Sequence, residues 1–464
     1  MSASVLTSRT INAGQTGAVA GVRQHDKVIF ISILVLTALV AVPYGTVEPW
    51  WIALYEVSIF TVGAFFAITN LGASLGTSTS ASPADVRNSF ALPQAIVKSL
   101  WAAPSLFLAF IFVQGYISAD PLETRLTLFK LLALLTHAVL LYRYTSNTRR
   151  LKAVIFTLVV IAVVSSIFGI ARHELQHGEV GFLLPLLKRD TGFAQFVNKN
   201  HFALLVEMSL GLTTGLILAG GVKKQFIALL GAAIIVMWTG LILTSSRGAL
   251  FSMFGQLAFV ITLSFWLKRR RRIAASVAVA ICALGLVGVS AVWMGGDLLT
   301  TRLVSLSGEI RVEANDLHAG VKRVEIWNAT WQLFKQHPIT GSGFGAYAVA
   351  ITKFHDASGK WTPEAAHNDY LELLATSGII GTALVILFSF AFISLSRKQL
   401  RSQDTFRRAA CLGALTGVVG VVLHNFVDFG LHVTANSVAF VTLIVVATKN
   451  VGAVTRLSRG SLHQ

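Results

Sequence analysis

Twelve apolar runs, each close to the roughly 20 residues an α-helix needs to cross a hydrocarbon core, constrain this chain more than any other feature. They fall at about 28–44, 51–71, 99–117, 126–142, 153–171, 201–220, 226–244, 249–267, 273–294, 379–396, 409–427 and 434–448. In lipid the backbone polar groups must be satisfied within the segment, so such runs are read as helices. The expected fold class is therefore all-α integral membrane, with about 12 transmembrane helices. Composition agrees, since 54% of the 464 residues are hydrophobic and 13% charged, about half the charged share of soluble domains. The first 27 residues are polar and lack an apolar stretch ending in a small-residue cleavage site, so the first run is expected to stay as an anchor. Cys282 and Cys411 both fall inside runs, which supports neither a disulfide framework nor a thiolate metal site.

A net charge of +17 raises the question of nucleic acid, but the placement of the charges answers it. With the N-terminus inside, the internal segments carry Arg9, Arg23 and Lys27, then Arg87 and Lys98, then Arg143, Arg149, Arg150 and Lys152. Next come Lys223 and Lys224, the run Lys268 to Arg272, the group Arg397, Lys398, Arg401, Arg407 and Arg408, and finally Lys449, Arg456 and Arg459. These are 24 of the 38 basic residues, set against Asp26, Asp85 and Asp404. Every second connection thus obeys the positive-inside rule. The basic excess is a topology signal, both termini are expected in the cytoplasm, and no nucleic-acid partner is expected.

The resulting division is a cytoplasmic tail at 1–27, transmembrane helices 1–9 over 28–294, an external loop at 295–378, helices 10–12 over 379–448 and a second cytoplasmic tail at 449–464. The long external connections, 172–200 and 295–378, are where function is sought. In the larger one Val321, Val324, Trp327, Trp331 and Phe334 recur at three- and four-residue steps, which predicts an amphipathic helix over 318–336 along the outer interface. Pro338 ends it, and Gly341, Gly343 and Gly345 are expected to form a flexible turn. Their G-x-G-x-G spacing follows a helix rather than a strand, which argues against a nucleotide site. A short helix is expected to start with Thr362 as N-cap and Pro363 at its first position, and to stop at Gly378.

Once topology is set, the unusual polar residues gather on the external side. Arg189, Asn198, Asn200 and His201 precede or open the sixth run, Arg247 sits in Ser245-Ser246-Arg247-Gly248, Arg323 and His367 lie in the large loop, and His424 and Asp428 end the eleventh run. Glu56, Lys130 and Glu207 fall near the outer ends of their helices. Intramembrane charge is costly and marks function by default. Guanidinium groups bind phosphates bidentately, and a neutral histidine takes a proton from a hydroxyl near pH 7. Together they suit transfer of a group from a phosphate-linked donor to an alcohol.

The stretch His367-Asn368, nine residues, Gly378, two residues, Gly381 resembles the signature of the O-antigen ligase and polymerase superfamily of bacterial membrane glycosyltransferases. Phe196 to Phe202, Ser246-Arg247-Gly248, Arg323 with Trp327, and Pro338 to Gly345 add to the likeness, which runs over about 180–430. The resemblance implies a GT-C-type enzyme of the bacterial inner membrane, inverting and independent of metals and cofactors, with its site facing the periplasm within loop 295–378. It implies an undecaprenyl-diphosphate-linked glycan as donor and the lipid A core as acceptor. A second lipid-linked glycan would be the acceptor if the chain is a polymerase making O-antigen, capsule or exopolysaccharide. Carried over residue by residue, His367 is the base, and Arg247, Arg323 and Arg189 face the diphosphate, with Asp190 partly offsetting Arg189. Asn198, Asn200, His201, Asn368, Tyr370 and Asp428 complete the expected substrate-binding set.

Structural readings stand beside these. Arg247 suits a snorkelling anchor, Arg323 a surface pair with Glu325 or Asp316, and Asn200 and His201 a helix cap. His424 and Asp428 suit a bond across one helical turn, while His318, His337 and His355 lack ligand spacing. The short C-terminal tail counts against a protein acceptor. A polyprenyl-linked glycan transporter shares the span count, but internal repeats and matched broken helices are missing.

Overall fold

The computed structural model describes residues 24–76, 94–177, 183–188, 192–266, 323–355 and 363–451. The helices are α1 (24–39), α2 (Pro49–Gly76), α3 (Gln94–Gln114), α4 (Pro121–Tyr144), α5 (Thr148–Leu175), α6 (Lys199–Leu218), α7 (Ile227–Leu243) and α8 (Arg247–Trp266). They continue with α9 (Arg323–Gln336), α10 (Asp369–Leu400), α11 (Thr405–His424) and α12 (Thr434–Thr448). Among the described residues there is no β-strand, only an isolated bridge between Phe193 and Phe196. Eleven of the twelve apolar runs coincide with these helices, and the ninth, 273–294 with Cys282, lies outside the described residues. Among the described residues seven helices are long and apolar enough to cross a membrane, and shorter apolar helices stand beside them. The chain is a multi-pass, all-α membrane protein.

Its centre is the α6–α11 pair. In α6 83% of the most apolar window is buried and in α11 67%, against 11% in α2, so α2 faces lipid while α6 is enclosed. The close approach has a sequence cause. Gly211 and Gly215 on α6 meet Gly417 and Gly413 on α11: a Cβ on Gly211 would lie 2.5 Å from the Gly417 nitrogen, and one on Gly215 2.3 Å from the Gly413 Cα. Apolar side chains gain nothing by leaving lipid for one another, so helices associate where small residues let backbones touch. Two G-x-x-x-G stretches set this register.

The two ends of the bundle differ. At one end Arg150 donates to the Asp26 carbonyl (3.3 Å) and Arg407 to the carbonyls of Lys449 (2.6 Å) and Ala447 (2.8 Å), while Lys449 sits 4.4 Å over the Tyr142 ring. These are residues of the basic segments. At the other end the connections fasten to one another: Gln195 donates to the Ala41 carbonyl (2.9 Å), Leu186 to the Tyr44 hydroxyl (3.3 Å), and the Ala435 amide to the Gly45 carbonyl. The first helix stops at residue 39, short of the run's expected end at 44, because the chain turns at Pro43 and takes positive φ at Tyr44, Gly45 and Thr46.

The glycine turn at 341–345 is packed, where flexibility was expected. Gly341, Gly343 and Gly345 all have positive φ, and a Cβ at each would lie within 2.3 Å of Thr376, Ser118 or Thr127. Gln114 at the end of α3 locks it, donating to the Thr340 and Thr376 (2.7 Å) carbonyls and accepting from the Phe344 amide (3.0 Å).

Candidate active site

His367 is held by its neighbours before it meets anything else. The Ala366 amide donates to Glu372 Oε2 at 2.8 Å, and the Ala366 carbonyl accepts from the Trp327 indole at 2.9 Å. Both main-chain polar groups of Ala366 are thus used, and the chain enters His367 at φ +50. A left-handed conformation costs a non-glycine residue about 1–2 kcal/mol, so the surrounding bonds determine it. Asn368 then caps α10, its Oδ1 accepting from the amides of Tyr370 (3.1 Å) and Leu371 (3.0 Å). The helix expected from Thr362 and Pro363 does not form. Thr362 lies outside the described residues, Pro363 to His367 are non-helical, and the helix begins at Asp369. Tertiary bonds move the start: the Asp369 amide donates to the Asn425 carbonyl (3.0 Å) and the Tyr370 hydroxyl to the Val422 carbonyl (2.7 Å), docking α10 onto the end of α11. Gly378, with φ +61, breaks α10 where the short helix was expected to stop.

The His367 ring stands edge-on to Phe429, with centroids 4.8 Å apart, and its side chain is one-third exposed. Its Nδ1 faces Asp428 Oδ1 at 3.7 Å, within ion-pair range and longer than a hydrogen bond. Asp428 is buried, and its other oxygen lies 3.7 Å from His424 Nε2. His424 Nδ1 in turn reaches Glu207 Oε1 at 2.8 Å. Burial acts to raise the Asp428 carboxyl. The imidazoles of His367 and His424 outweigh it and hold the group well below the usual carboxylate range. His201 joins the cluster from the first turn of α6, its ring 5.0 Å from Phe429. Its backbone carbonyl accepts from Asn436 (3.0 Å). Beside these, His432 Nε2 lies 3.4 Å from Asp369 and 3.5 Å from Glu372, and Lys130 donates to the His432 carbonyl.

The expected site residues thus separate by role. Asp428, placed in the substrate-binding set by the sequence, has a side chain only 1% exposed and turned to two histidines. Asn198 caps α6 through the Asn200 amide (2.9 Å), and the Asn368 Oδ1 and the Tyr370 hydroxyl bond to the protein. Arg247 is the exposed first residue of α8, and Gly248 beside it lies so close to His424 that an added Cβ would be 3.0 Å from Nε2. Arg323 is exposed at the start of α9, one turn ahead of Trp327. Arg189 lies outside the described residues. Arg172, which sequence reasoning passed over, is buried and bonded to Gln176, Ala194 and Lys188, fastening the 183–188 segment. Phe429, Asp369, Glu372 and His432 were also missed. A carboxylate pair three residues apart directly after the cap was the one local signal available for them.

An imidazole with one nitrogen toward a buried carboxylate and an exposed opposite edge can accept a proton from a hydroxyl. The exposed arginines at the starts of α8 and α9 are of the type that stabilises an anionic leaving group. Residues 232–386, about a third of the chain, match the family model described as O-antigen ligase. That stretch holds Arg247, Arg323, His367, Asn368 and Tyr370, and stops short of Asp428. No curated protein matches the chain.

Proposed function

We propose, from the match of residues 232–386 to the family model described as O-antigen ligase, that this chain is a member of that superfamily and a glycosyltransferase working at the periplasmic face of a bacterial inner membrane. The donor is a glycan on undecaprenyl diphosphate and the acceptor a hydroxyl of the lipid A core. The observation that carries this reading is the His367–Asp428 contact at 3.7 Å beside an exposed ring edge.

In the proposed reaction Asp428 holds His367 with its proton on Nδ1, leaving the Nε2 lone pair for the acceptor hydroxyl. As that proton moves to Nε2, the hydroxyl oxygen bonds to the anomeric carbon from the face opposite the diphosphate. The bond from that carbon to the diphosphate oxygen breaks, and configuration inverts. The electron pair leaves on undecaprenyl diphosphate, whose charge Arg247 and Arg323, with Arg189, offset. Asp428, ionised and buried, stabilises the imidazolium until its proton is returned to solvent or the departing phosphate.

A deletion strain analysed by glycan gel tests the reading. Loss of glycan on lipid A core, with long carrier-bound chains retained, is the expected result. A core bearing a single repeat unit would make the chain a polymerase, and protein glycans lost alone would make the acceptor a protein.

A further inference from the structure

Glu207 and His424 form a buried acid–imidazole couple that touches no exposed surface, being 0% and 1% exposed. The couple is anchored on every side. Ser252 donates to Glu207 Oε2, and Gln256 donates to the Glu207 backbone carbonyl at 3.1 Å, so α8 is bound to α6 through the same residue. Gly248 and Gly420 leave the room: a Cβ at 248 would meet the His424 ring at 3.0 Å, and one at 420 would meet Gln256 Nε2 at 2.0 Å. Each nitrogen of His424 faces a carboxylate, Nδ1 toward Glu207 and Nε2 toward Asp428, an arrangement that an imidazolium with two N–H donors satisfies.

A buried ion pair is a poor device for stability alone, since apolar residues of similar volume often do as well or better. What this pair does geometrically is join α6, α8 and α11 to the connection that bears Asp428. We propose that Glu207 and His424 are positioning residues for glycan transfer: Glu207 fixes the His424 ring, and His424 fixes Asp428 in its ionised form facing His367. Neither touches substrate, and both lie outside the segment that matches the ligase family. Because His424 also packs under Gly248, the couple sets the Arg247 helix start and the base's partner from one point. The proposal rests on the transferase reading above.

The test uses full-length protein reconstituted in vesicles with lipid-linked glycan and a lipid A core acceptor. Glu207→Gln keeps size and removes charge, and is expected to lower kcat about tenfold with donor KM unchanged. In an Asp428→Asn background the same change is expected to lower kcat no further, because the route through Asp428 is already cut. Ser252→Ala, which removes one bond to Glu207, is expected to lower kcat two- to threefold and serves if Glu207→Gln does not fold. Wild-type kcat in Glu207→Gln, or in Ser252→Ala where that variant stands in for it, overturns the proposal, as does a Glu207→Gln loss of equal size with and without Asp428. If wild type transfers nothing while still binding donor, the transferase reading fails instead. Active wild type with an inactive His367→Ala upholds that reading whatever Glu207 does.

Discussion

The Trp327 indole donates to the Ala366 carbonyl at 2.9 Å, so the helix that begins with Arg323 is fastened to the residue directly before His367. Trp327→Phe keeps most of the ring and removes the donor, leaving a buried carbonyl unpaired at a cost of about 1–3 kcal/mol. The expected result is a lower melting temperature together with a severalfold fall in kcat, since His367 sits at φ +50 by virtue of these bonds. Thermal unfolding and transfer rates on the same preparation check it. A variant equal to wild type in both would detach α9 from the site.

His367→Ala removes the proposed base without filling the space it leaves. General-base catalysis contributes about 10²–10⁴-fold, so transfer should fall by at least the lower figure. Donor binding should persist, because it is assigned to the arginines. Equilibrium binding of lipid-linked glycan beside single-turnover transfer separates the two, and retained transfer would remove the histidine base.

Most of the fold was legible because its cause is local. An apolar run of about 20 residues dictates a helix wherever its neighbours lie, whereas the pairing of the G-x-x-x-G stretches of α6 and α11 was not read from the chain, because it depends on which helices meet. The end of the short helix at Gly378 was local, like the apolar runs. Its start was not: Thr362 and Pro363 form a sound capping pattern, but the bonds Asp369–Asn425 and Ala366–Glu372 moved the cap to Asn368. The same holds for the candidate site. Glu207 and His424 stand 217 positions apart, and only helix register brings them together. Sequence paired His424 with Asp428 across one turn, and the structure puts that pair inside a longer chain ending at His367.

Asp428 gives the pH dependence its sign. Its folded carboxyl lies below the ordinary value, because the imidazoles of His367 and His424 outweigh burial. A group depressed in the folded state contributes stability above its unfolded pKa, about 3.9, and loses it as pH falls toward the folded value. Asp428→Asn should therefore destabilise the protein at pH 7 and by progressively less as the pH falls below about 3.9 toward about 2. Melting temperatures of both proteins across that range check the direction. A gap that widens on acidification would show that Asp428 is not held ionised by its histidines.

Gly378 is required for two separate reasons, and a pair of substitutions tells them apart. Its φ is +61, and a Cβ there would lie 2.4 Å from the Ile339 carbonyl oxygen, where loop backbone enters the kink in α10. The amides freed by the kink donate to that loop, Ile379 to Pro338 (2.9 Å) and Ile380 to Ile339 (3.2 Å). Gly220 has φ +71 with nothing within 4 Å of a Cβ. Gly220→Ala therefore measures conformational strain alone, about 1–2 kcal/mol. Gly378→Ala adds a clash between two backbones that neither side can relieve, and should lower the melting temperature by clearly more. It should also slow transfer, because residues 369–377 carry the docking contacts beside His367 while Gly220 lies at the basic end. Equal effects of the two substitutions on stability and rate would mean that the loop yields at the kink and does not hold the start of α10 in place.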